Sequence, residues 1–155
     1  MKEGNKKETM KEKRCYISGP ISGVPREVYM ARFAKAAELL RARGYEPVNP
    51  TLFLVCRCPW LYKVVGYHLT LLYVLWRLTK CPLIYKMPGW KESPGANIES
   101  AWAYNTGAWT LPIKVREDID KRMAKFMEKR PTPDPSRQGG ERAGAMVEKG
   151  GTAHG

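Results

Sequence analysis

Short apolar segments alternate with longer helical segments through the middle of the chain, and this alternation constrains the fold more than any other feature of the sequence. Each apolar segment is bounded by glycine, proline or polar residues, as is typical of buried strands. The predicted strands cover residues 15–18, 46–49, 82–87 and 109–115. Strands that alternate with helices form a parallel sheet with helices on both faces. The sequence therefore predicts an α/β fold of the flavodoxin- or Rossmann-like type, a three-layer parallel sheet of about four to five strands.

Apolar periodicity identifies the helical segments. Tyr29, Phe33, Ala37 and Leu40 recur at spacings of three or four until Gly44 supplies a C-terminal stop. Further helices are predicted at residues 60–79, in the segment before Gly107, and along the stripe of Ile119, Met123 and Phe126.

The two ends of the chain differ from this middle in composition. Residues 1–14 carry six Lys or Arg against three Glu and no apolar run, and residues 131–155 are dominated by Pro, Gly and polar side chains. Such segments bury too little apolar surface to offset the entropy of ordering them. We therefore expect a flexible basic arm at residues 1–13, one α/β domain at 14–130 and a disordered tail at 131–155.

The net charge of +12 is spread along the chain and not concentrated in one block. A diffuse positive field raises the local concentration of anionic ligands, but it does not choose between phosphorylated metabolites and polynucleotides. Nucleic acid is thus a partner that the sequence allows without favouring it. A basic RNA-binding protein that uses its arms stays an alternative, and it predicts a steep salt dependence of binding.

Cysteine usage and hydropathy limit the location and the cofactors. No apolar stretch of a signal peptide is visible near Met1, so we expect a cytoplasmic protein with reduced cysteines. Cys56 and Cys58 are too close together for the usual zinc spacing, and within the expected folded region only His68 could complete a set, so we expect no metal. The apolar segment 60–78 contains basic side chains, which favours a buried helix over stable membrane insertion.

A glycine-containing loop, YISGPISG at residues 16–23, follows the first predicted strand. Such a loop before a helix lets the backbone approach a ligand closely. It lacks the Gly-Lys-Ser/Thr ending of a P-loop and the three-glycine dinucleotide fingerprint, so a plain structural turn is the alternative. In a parallel sheet this loop would converge with Asn49 and residues 88–95 at the carboxyl ends of the strands, where ligands bind.

A second candidate segment, residues 89–99, follows the third predicted strand. Ser93 can cap the next helix and Pro94 suits its first position, so free backbone N–H groups would favour an anion there. Glu99 lies within the first two turns, where the helix dipole helps to keep a carboxylate ionised, as a nucleophile requires. Structural alternatives exist for both side chains singled out here: Glu99 can be an ordinary acid near a helix N-terminus, and Trp90 can plug a crevice instead of stacking on a base.

Three segments in series, YISGPISG, RGYEPVNP and PGWKESPGANIESAWA, resemble the nucleoside 2-deoxyribosyltransferase-like superfamily, especially its small DUF4406-like branch in bacteria and phages. The resemblance implies that Glu99 attacks the anomeric carbon of a sugar and forms a glycosyl-enzyme, as in retaining glycosidases. It also implies that Ser93 contacts a 5′ phosphate and that Tyr16 and Gly19 form the pocket floor. The candidate substrate-binding residues are Tyr16, Gly19, Pro20, Asn49, Trp90, Ser93, Gly95 and Asn97.

The acids of the chain depart from the superfamily pattern. Residues 15–113 contain five Glu and no Asp, whereas members of the superfamily usually carry aspartates near the position of His68 and directly after that of Cys81. If an aspartate protonates the leaving base or orients the sugar, this chain either uses Glu92 for that purpose or has lost activity.

These features favour an enzyme that cleaves or transfers the N-glycosidic bond of a (deoxy)nucleoside or its 5′-monophosphate, with Glu99 as nucleophile and no cofactor. The alternative is a non-catalytic nucleotide-binding module that keeps the pocket. A homodimer or larger assembly is expected, because the superfamily completes each active site with residues of a neighbouring subunit. The segment 69–76, apolar on every side, independently favours a partner, although neighbouring helices of the same chain could also cover it.

Overall fold

The computed structural model describes residues 13–53 and 58–129, and within them four strands alternate with four long helices. In chain order these are β1 (Arg14–Ser18), α1 (Arg26–Ala42), β2 (Glu46–Val48), α2 (Pro59–Leu78), β3 (Leu83–Lys86), α3 (Pro94–Asn105), β4 (Trp109–Thr110) and α4 (Ile113–Lys129). Short 3-10 turns, Pro50–Leu52 and Trp90–Glu92, follow β2 and β3. The expected tail and all but the last residue of the expected basic arm lie outside the described residues.

The four described strands form one parallel sheet in the order β2-β1-β3-β4. β1 lies between β2 and β3, with Tyr16 opposite Val48 on one side and Ile84 on the other. The chain first builds outward from β1 to β2 and then crosses to β3, so the switch point lies between β1 and β3. Ligands of such sheets bind beyond the carboxyl ends of the strands at this point. The predicted parallel α/β fold is confirmed.

β1 supplies both faces of the sheet, because successive side chains of a strand point to opposite sides. Cys15 and Ile17 belong to the core formed with apolar side chains of α1 and α4. Tyr16 belongs to a separate core formed with α2 and α3. The sheet is therefore the middle of three layers, as predicted, and α2 and α3 share the layer that Tyr16 faces.

The last strand is shorter than the sequence predicts. β4 contains only Trp109 and Thr110, whereas a strand was expected over residues 109–115. Pro112 has no N–H to donate to a neighbouring strand, and its carbonyl instead accepts a helical hydrogen bond from the N–H of Arg116 at 3.0 Å. Helix α4 consequently begins directly after this proline, and Val115 packs against the core from a helix.

Helix α2 is interrupted at Gly66, whose φ of 79° and ψ of 166° lie in a region that is essentially restricted to glycine. The hydroxyl of Thr70 donates a hydrogen bond to the carbonyl of Gly66 at 2.8 Å and satisfies an acceptor beside the kink. The helix predicted over residues 60–79 is confirmed, with this change of direction inside it.

The part of α2 after the kink has one covered and one exposed face. Val74, Leu75 and Leu78 are buried, whereas Leu72 and Trp76 are 59% and 54% exposed. None of the described helices has the length and apolarity required to cross a bilayer. A cluster of exposed large apolar side chains is typical of an interaction surface.

Candidate functional site

Glu99 lies in the second turn of α3, on the face that packs against the sheet. Ser93 caps this helix, because its hydroxyl accepts a hydrogen bond from the backbone N–H of Ala96 at 3.4 Å, and the predicted cap is confirmed. Ala96, Glu99 and Ala103 recur at spacings of three and four and are buried together. The buried face of α3 thus carries one carboxylate, between two alanines.

Two side chains of β1 hold the two carboxylate oxygens of Glu99. The hydroxyl of Tyr16 donates to Oε1 at 2.8 Å, and the hydroxyl of Ser18 donates to Oε2 at 2.6 Å. Because Tyr16 and Ser18 are two positions apart on a strand, both point to the face that α3 covers. The carboxylate is therefore fixed in orientation from the side of the sheet.

Burial makes Glu99 a weaker acid than an exposed glutamate. The residue is only 9% exposed, and desolvation raises its pKa from 4.5 to about 7. The hydrogen bonds from Ser18 and Tyr16 oppose this effect, because they stabilise the anion. Glu99 therefore exchanges a proton near neutral pH, where an enzyme can use it as a nucleophile, a base or an acid.

Glu99 borders a cavity of about 370 Å³ at the carboxyl edge of the sheet. Its walls come from the loop after β1, the first turn of α1, the 3-10 turn after β2, the middle of α2 and the start of α3. Among the described residues of these walls, Glu99 is the only acid and Arg26 the only Lys or Arg, beside apolar and aromatic side chains that include Tyr29, Tyr67 and Leu71. A concave, mainly apolar site with a few convergent polar groups is typical of a small-molecule site.

Four of the predicted site residues meet at this cavity, namely Gly19, Ser93, Gly95 and Glu99. A Cβ at position 19 would lie 2.3 Å from Cε and 3.2 Å from Cβ of Met87, so any larger residue there would force the Met87 side chain to shift. The loop after β1 therefore approaches the residue that follows β3 closely.

Three other candidates, Tyr16, Pro20 and Asn49, are not part of the cavity lining. Tyr16 is fully buried behind Glu99, so it positions the carboxylate and does not form the floor that was expected. Asn49 is buried, and its Oδ1 accepts hydrogen bonds from the N–H and the hydroxyl of Thr51 at 3.0 and 2.7 Å. Asn49 therefore shapes the turn that places Thr51 in the cavity wall.

The remaining candidates lie away from the Glu99 cavity. Trp90 and Asn97 border a second cavity on the other side of α3, next to β3 and β4. Glu92 is exposed and does not line the Glu99 cavity. Its position therefore gives no support to its expected role as the acid that protonates a leaving base.

Sequence reasoning missed Ser18 and Arg26. Ser18 had a usable signal, because a side chain two positions after Tyr16 must share its face of the strand. Arg26 is the first residue of α1, and it reaches the cavity because the loop after β1 brings that helix end to the carboxyl edge of the sheet. The position of this helix end depends on tertiary packing, and no local sequence pattern predicts it.

The buried thiols and the potential metal ligands of the described residues do not provide a further nucleophile or a metal centre at this site. Burial raises the pKa of the Cys81 thiol to about 11, and it raises the pKa of Cys15 still further. Such thiols are poor nucleophiles at neutral pH. Across residues 13–53 and 58–129, no three His, Cys, Asp or Glu side chains are grouped so as to hold a metal ion, and Cys56 lies outside these ranges.

The strand order and the buried carboxylate at the edge of the sheet define a Rossmann-like α/β protein with a ligand-sized cleft at the carboxyl ends of its strands. Residues 13–111 match the family model described as Domain of unknown function (DUF4406), and the chain belongs to this family. The matched range contains every described residue that lines the Glu99 cavity. No curated protein and no solved structure matches the chain.

Proposed function

We propose that this protein cleaves or transfers the N-glycosidic bond of a nucleoside or a nucleoside 5′-monophosphate, with Glu99 as the nucleophile. The observation that carries the proposal is the buried carboxylate at the cavity, held by Tyr16 and Ser18 and with a pKa of about 7. The resemblance of three segments to the nucleoside 2-deoxyribosyltransferase-like superfamily supports the same role for Glu99.

In the proposed reaction, the ionised carboxylate of Glu99 attacks C1′ of the sugar while the bond between C1′ and the base nitrogen breaks. The base leaves with the electron pair of that bond, and the sugar is joined to Glu99 as an ester. Water, or a second base in a transfer reaction, then attacks C1′ and gives up a proton to the group that protonated the leaving base, and Glu99 leaves as a carboxylate. The hydrogen bonds from Tyr16 and Ser18 stabilise that leaving carboxylate.

The leaving base also takes up a proton, and the described cavity lining contains no second carboxylate to provide it. Tyr29 and Tyr67 do lie in the cavity wall, and a phenol can donate a proton. We assign proton delivery to one of these two hydroxyls or to water that enters the open cleft.

Arg26 supports the choice of a phosphorylated substrate. A guanidinium binds phosphate oxygens through paired N–H donors, and Arg26 and Ser93 both line the Glu99 cavity. The hydroxyl of Ser93 accepts a hydrogen bond from the helix backbone, which leaves its own proton available to a ligand. We assign the 5′ phosphate of the substrate to Arg26, with Ser93 as a second contact.

One observation favours a second candidate function, a nucleotide-binding module without catalysis. Glycosidic cleavage through an ester generally uses a second acidic group, and Glu99 has no such neighbour among the described lining residues. A binding module needs only the cavity, the cation and an aromatic wall, all of which are present.

A panel of nucleosides and nucleoside 5′-monophosphates separates the two functions, with released base measured by chromatography and ligand binding measured by calorimetry. If the protein is an enzyme, the wild type should release base and Glu99→Gln should not. Glu92→Gln is the matched control, because it removes the same charge from an exposed residue outside the cavity. Saturable binding without base release would instead identify the binding module, and neither binding nor release would contradict both functions.

We further propose that the protein is a homodimer in which a second copy covers the exposed side of α2. Leu69, Leu72 and Trp76 are exposed on this side, whereas Thr70 and Val74 of the same helix line the Glu99 cavity. Burial of these apolar side chains by a second copy would be favourable and would brace the helix that forms the cavity wall.

A further inference from the structure

A second cavity of about 460 Å³ lies between α3 and the ends of β3 and β4, on the side of α3 opposite to the Glu99 cavity. Its lining combines a cation with hydroxyl, amide and aromatic groups, among them Lys86, Trp90, Ser100, Tyr104 and Thr110. The volume is within the range of about 300–1,000 Å³ that is usual for small-molecule sites. The proposed glycosidic chemistry does not involve this cavity.

Lys86 is the central charged group of the second cavity. It is the last residue of β3 and stands in register with Ser18 of β1, so both side chains lie on the face that α3 covers. Its ammonium group donates a hydrogen bond to the hydroxyl of Ser100 at 3.2 Å and lies 4.4 Å from the ring centroid of Trp90. These two contacts hold the positive charge at the cavity and do not neutralise it.

Two further cations act on Lys86. Partial burial, and then the positive charges of Arg116 and Lys91, lower the pKa of the Lys86 ammonium group. None of the three forms an ion pair with a carboxylate in the described parts of the chain, whereas Arg14, Lys35, Arg43 and Arg122 do. Lys91 and Arg116 therefore both repel the ammonium group of Lys86 at the cavity, and an anion bound to Lys86 would relieve that repulsion.

We propose that this second cavity binds the phosphate group of a small organic phosphate that also carries a flat ring. Lys86 contacts the phosphate directly, Ser100 and Thr110 offer hydroxyl groups, and Lys91 and Arg116 provide the surrounding positive field. The exposed ring of Tyr104 and the half-buried ring of Trp90 offer surfaces on which the ring of the ligand can stack. The site is independent of Glu99 and belongs to a second ligand or a regulator.

Phenyl phosphate is a suitable probe for the full-length protein, because it has a phosphate and a flat ring but no glycosidic bond. Its binding is followed by the NMR signal of the Trp90 indole N–H, assigned with Trp90→Phe. We expect a saturable change of this signal, a dissociation constant at least tenfold weaker for Lys86→Met, and binding at least tenfold weaker for phenol than for phenyl phosphate. Inorganic phosphate should compete with phenyl phosphate.

Lys80→Met is the matched control, because the ammonium group of Lys80 lies 5.4 Å from the ring centroid of Trp76 but outside this cavity. This variant should bind phenyl phosphate as the wild type does. Should Lys86→Met not fold, the double variant Lys91→Met/Arg116→Met serves instead. It should bind phenyl phosphate more weakly than the wild type, because it removes two positive charges that act on Lys86. The proposal would be overturned if the Trp90 signal did not change at millimolar phenyl phosphate. It would also be overturned if Lys86→Met, or the double variant used in its place, bound phenyl phosphate as tightly as the wild type.

Discussion

Tyr16 and Glu99 lie 83 positions apart in the sequence, and a hydrogen bond of 2.8 Å joins their side chains between β1 and α3. The bond stabilises the carboxylate form of Glu99, in opposition to the burial that favours the protonated form. The ionisation of Glu99 therefore depends on a residue that does not itself line the cavity.

Tyr16→Phe should raise the pKa of Glu99 further above 7, because it removes one donor to the carboxylate. A hydrogen bond to a charged group contributes about 1.5 kcal/mol, so the titration should move to higher pH by about one pH unit. Ser18→Ala should act in the same direction. The carbon NMR signal of the Glu99 carboxyl group, followed against pH, measures the change.

Tyr85→Phe is the matched control for Tyr16→Phe. Tyr85 is also fully buried, but its hydroxyl donates to Asp120 of α4 at 2.8 Å, on the other face of the sheet. This variant should lose stability without any change in the titration of Glu99. Equal movement of the titration in both tyrosine variants would show that the effect is not carried by the bond to Glu99.

Glu99→Gln should change how the free energy of unfolding depends on pH. The pKa of Glu99 is about 7 in the folded protein and 4.5 ordinarily, so the folded state binds more protons between these values and wild-type stability falls as pH rises across them. The full difference corresponds to roughly 3 kcal/mol. Relative to the wild type, the variant should therefore gain stability between pH 5 and pH 8, as measured by urea unfolding. Parallel pH curves for the two proteins would argue against a titrating, buried Glu99.

Gly19→Ala should destabilise the fold by about 1–3 kcal/mol, because overpacking of a close contact costs energy of this order. The added Cβ would lie 2.3 Å from Cε and 3.2 Å from Cβ of the buried Met87. Gly95→Ala tests the same cavity without a clash, since its Cβ would meet nothing within 4 Å, and it should be neutral or stabilising. Thermal unfolding compares the two, and equal losses would contradict the role assigned to the contact with Met87.

The proposed homodimer predicts a mass near twice 17.6 kDa in sedimentation equilibrium at micromolar concentration. Leu72→Glu places a charge on the exposed side of α2 and should shift the mass to that of one chain. Ile113→Glu is the control, because Ile113 is also exposed but lies on α4. A mass of one chain for the wild type at all concentrations would rule out the dimer.

Much of the fold was predictable because its signals are local. The cap at Ser93 and the placement of Glu99 near the start of α3 follow from residue preferences within a few positions. The wrong length of β4 also has a local cause, since apolar residues after Pro112 suit a strand and a helix face equally well.

The composition of the site was less predictable, because it depends on which side of α3 each residue takes. Asn97 and Glu99 are two positions apart, which corresponds to about 200° around a helix, so they border different cavities. The helix period alone could have predicted that Asn97 and Glu99 point to different sides of α3. The pairing of Ser18 with Glu99 also required the packing of α3 on β1, which no short segment of sequence specifies.

The most direct test of the central claim is to capture the ester between Glu99 and the sugar. A nucleoside that releases its base in the panel is resynthesised with fluorine at C2′, which destabilises the oxocarbenium-like transition state and slows breakdown of the ester. Intact-mass spectrometry of the full chain, followed by peptide mapping, should show one added fluorosugar on Glu99, in the wild type and in Glu92→Gln but not in Glu99→Gln. Base release without such an adduct, or an adduct on another residue, would contradict Glu99 as the nucleophile.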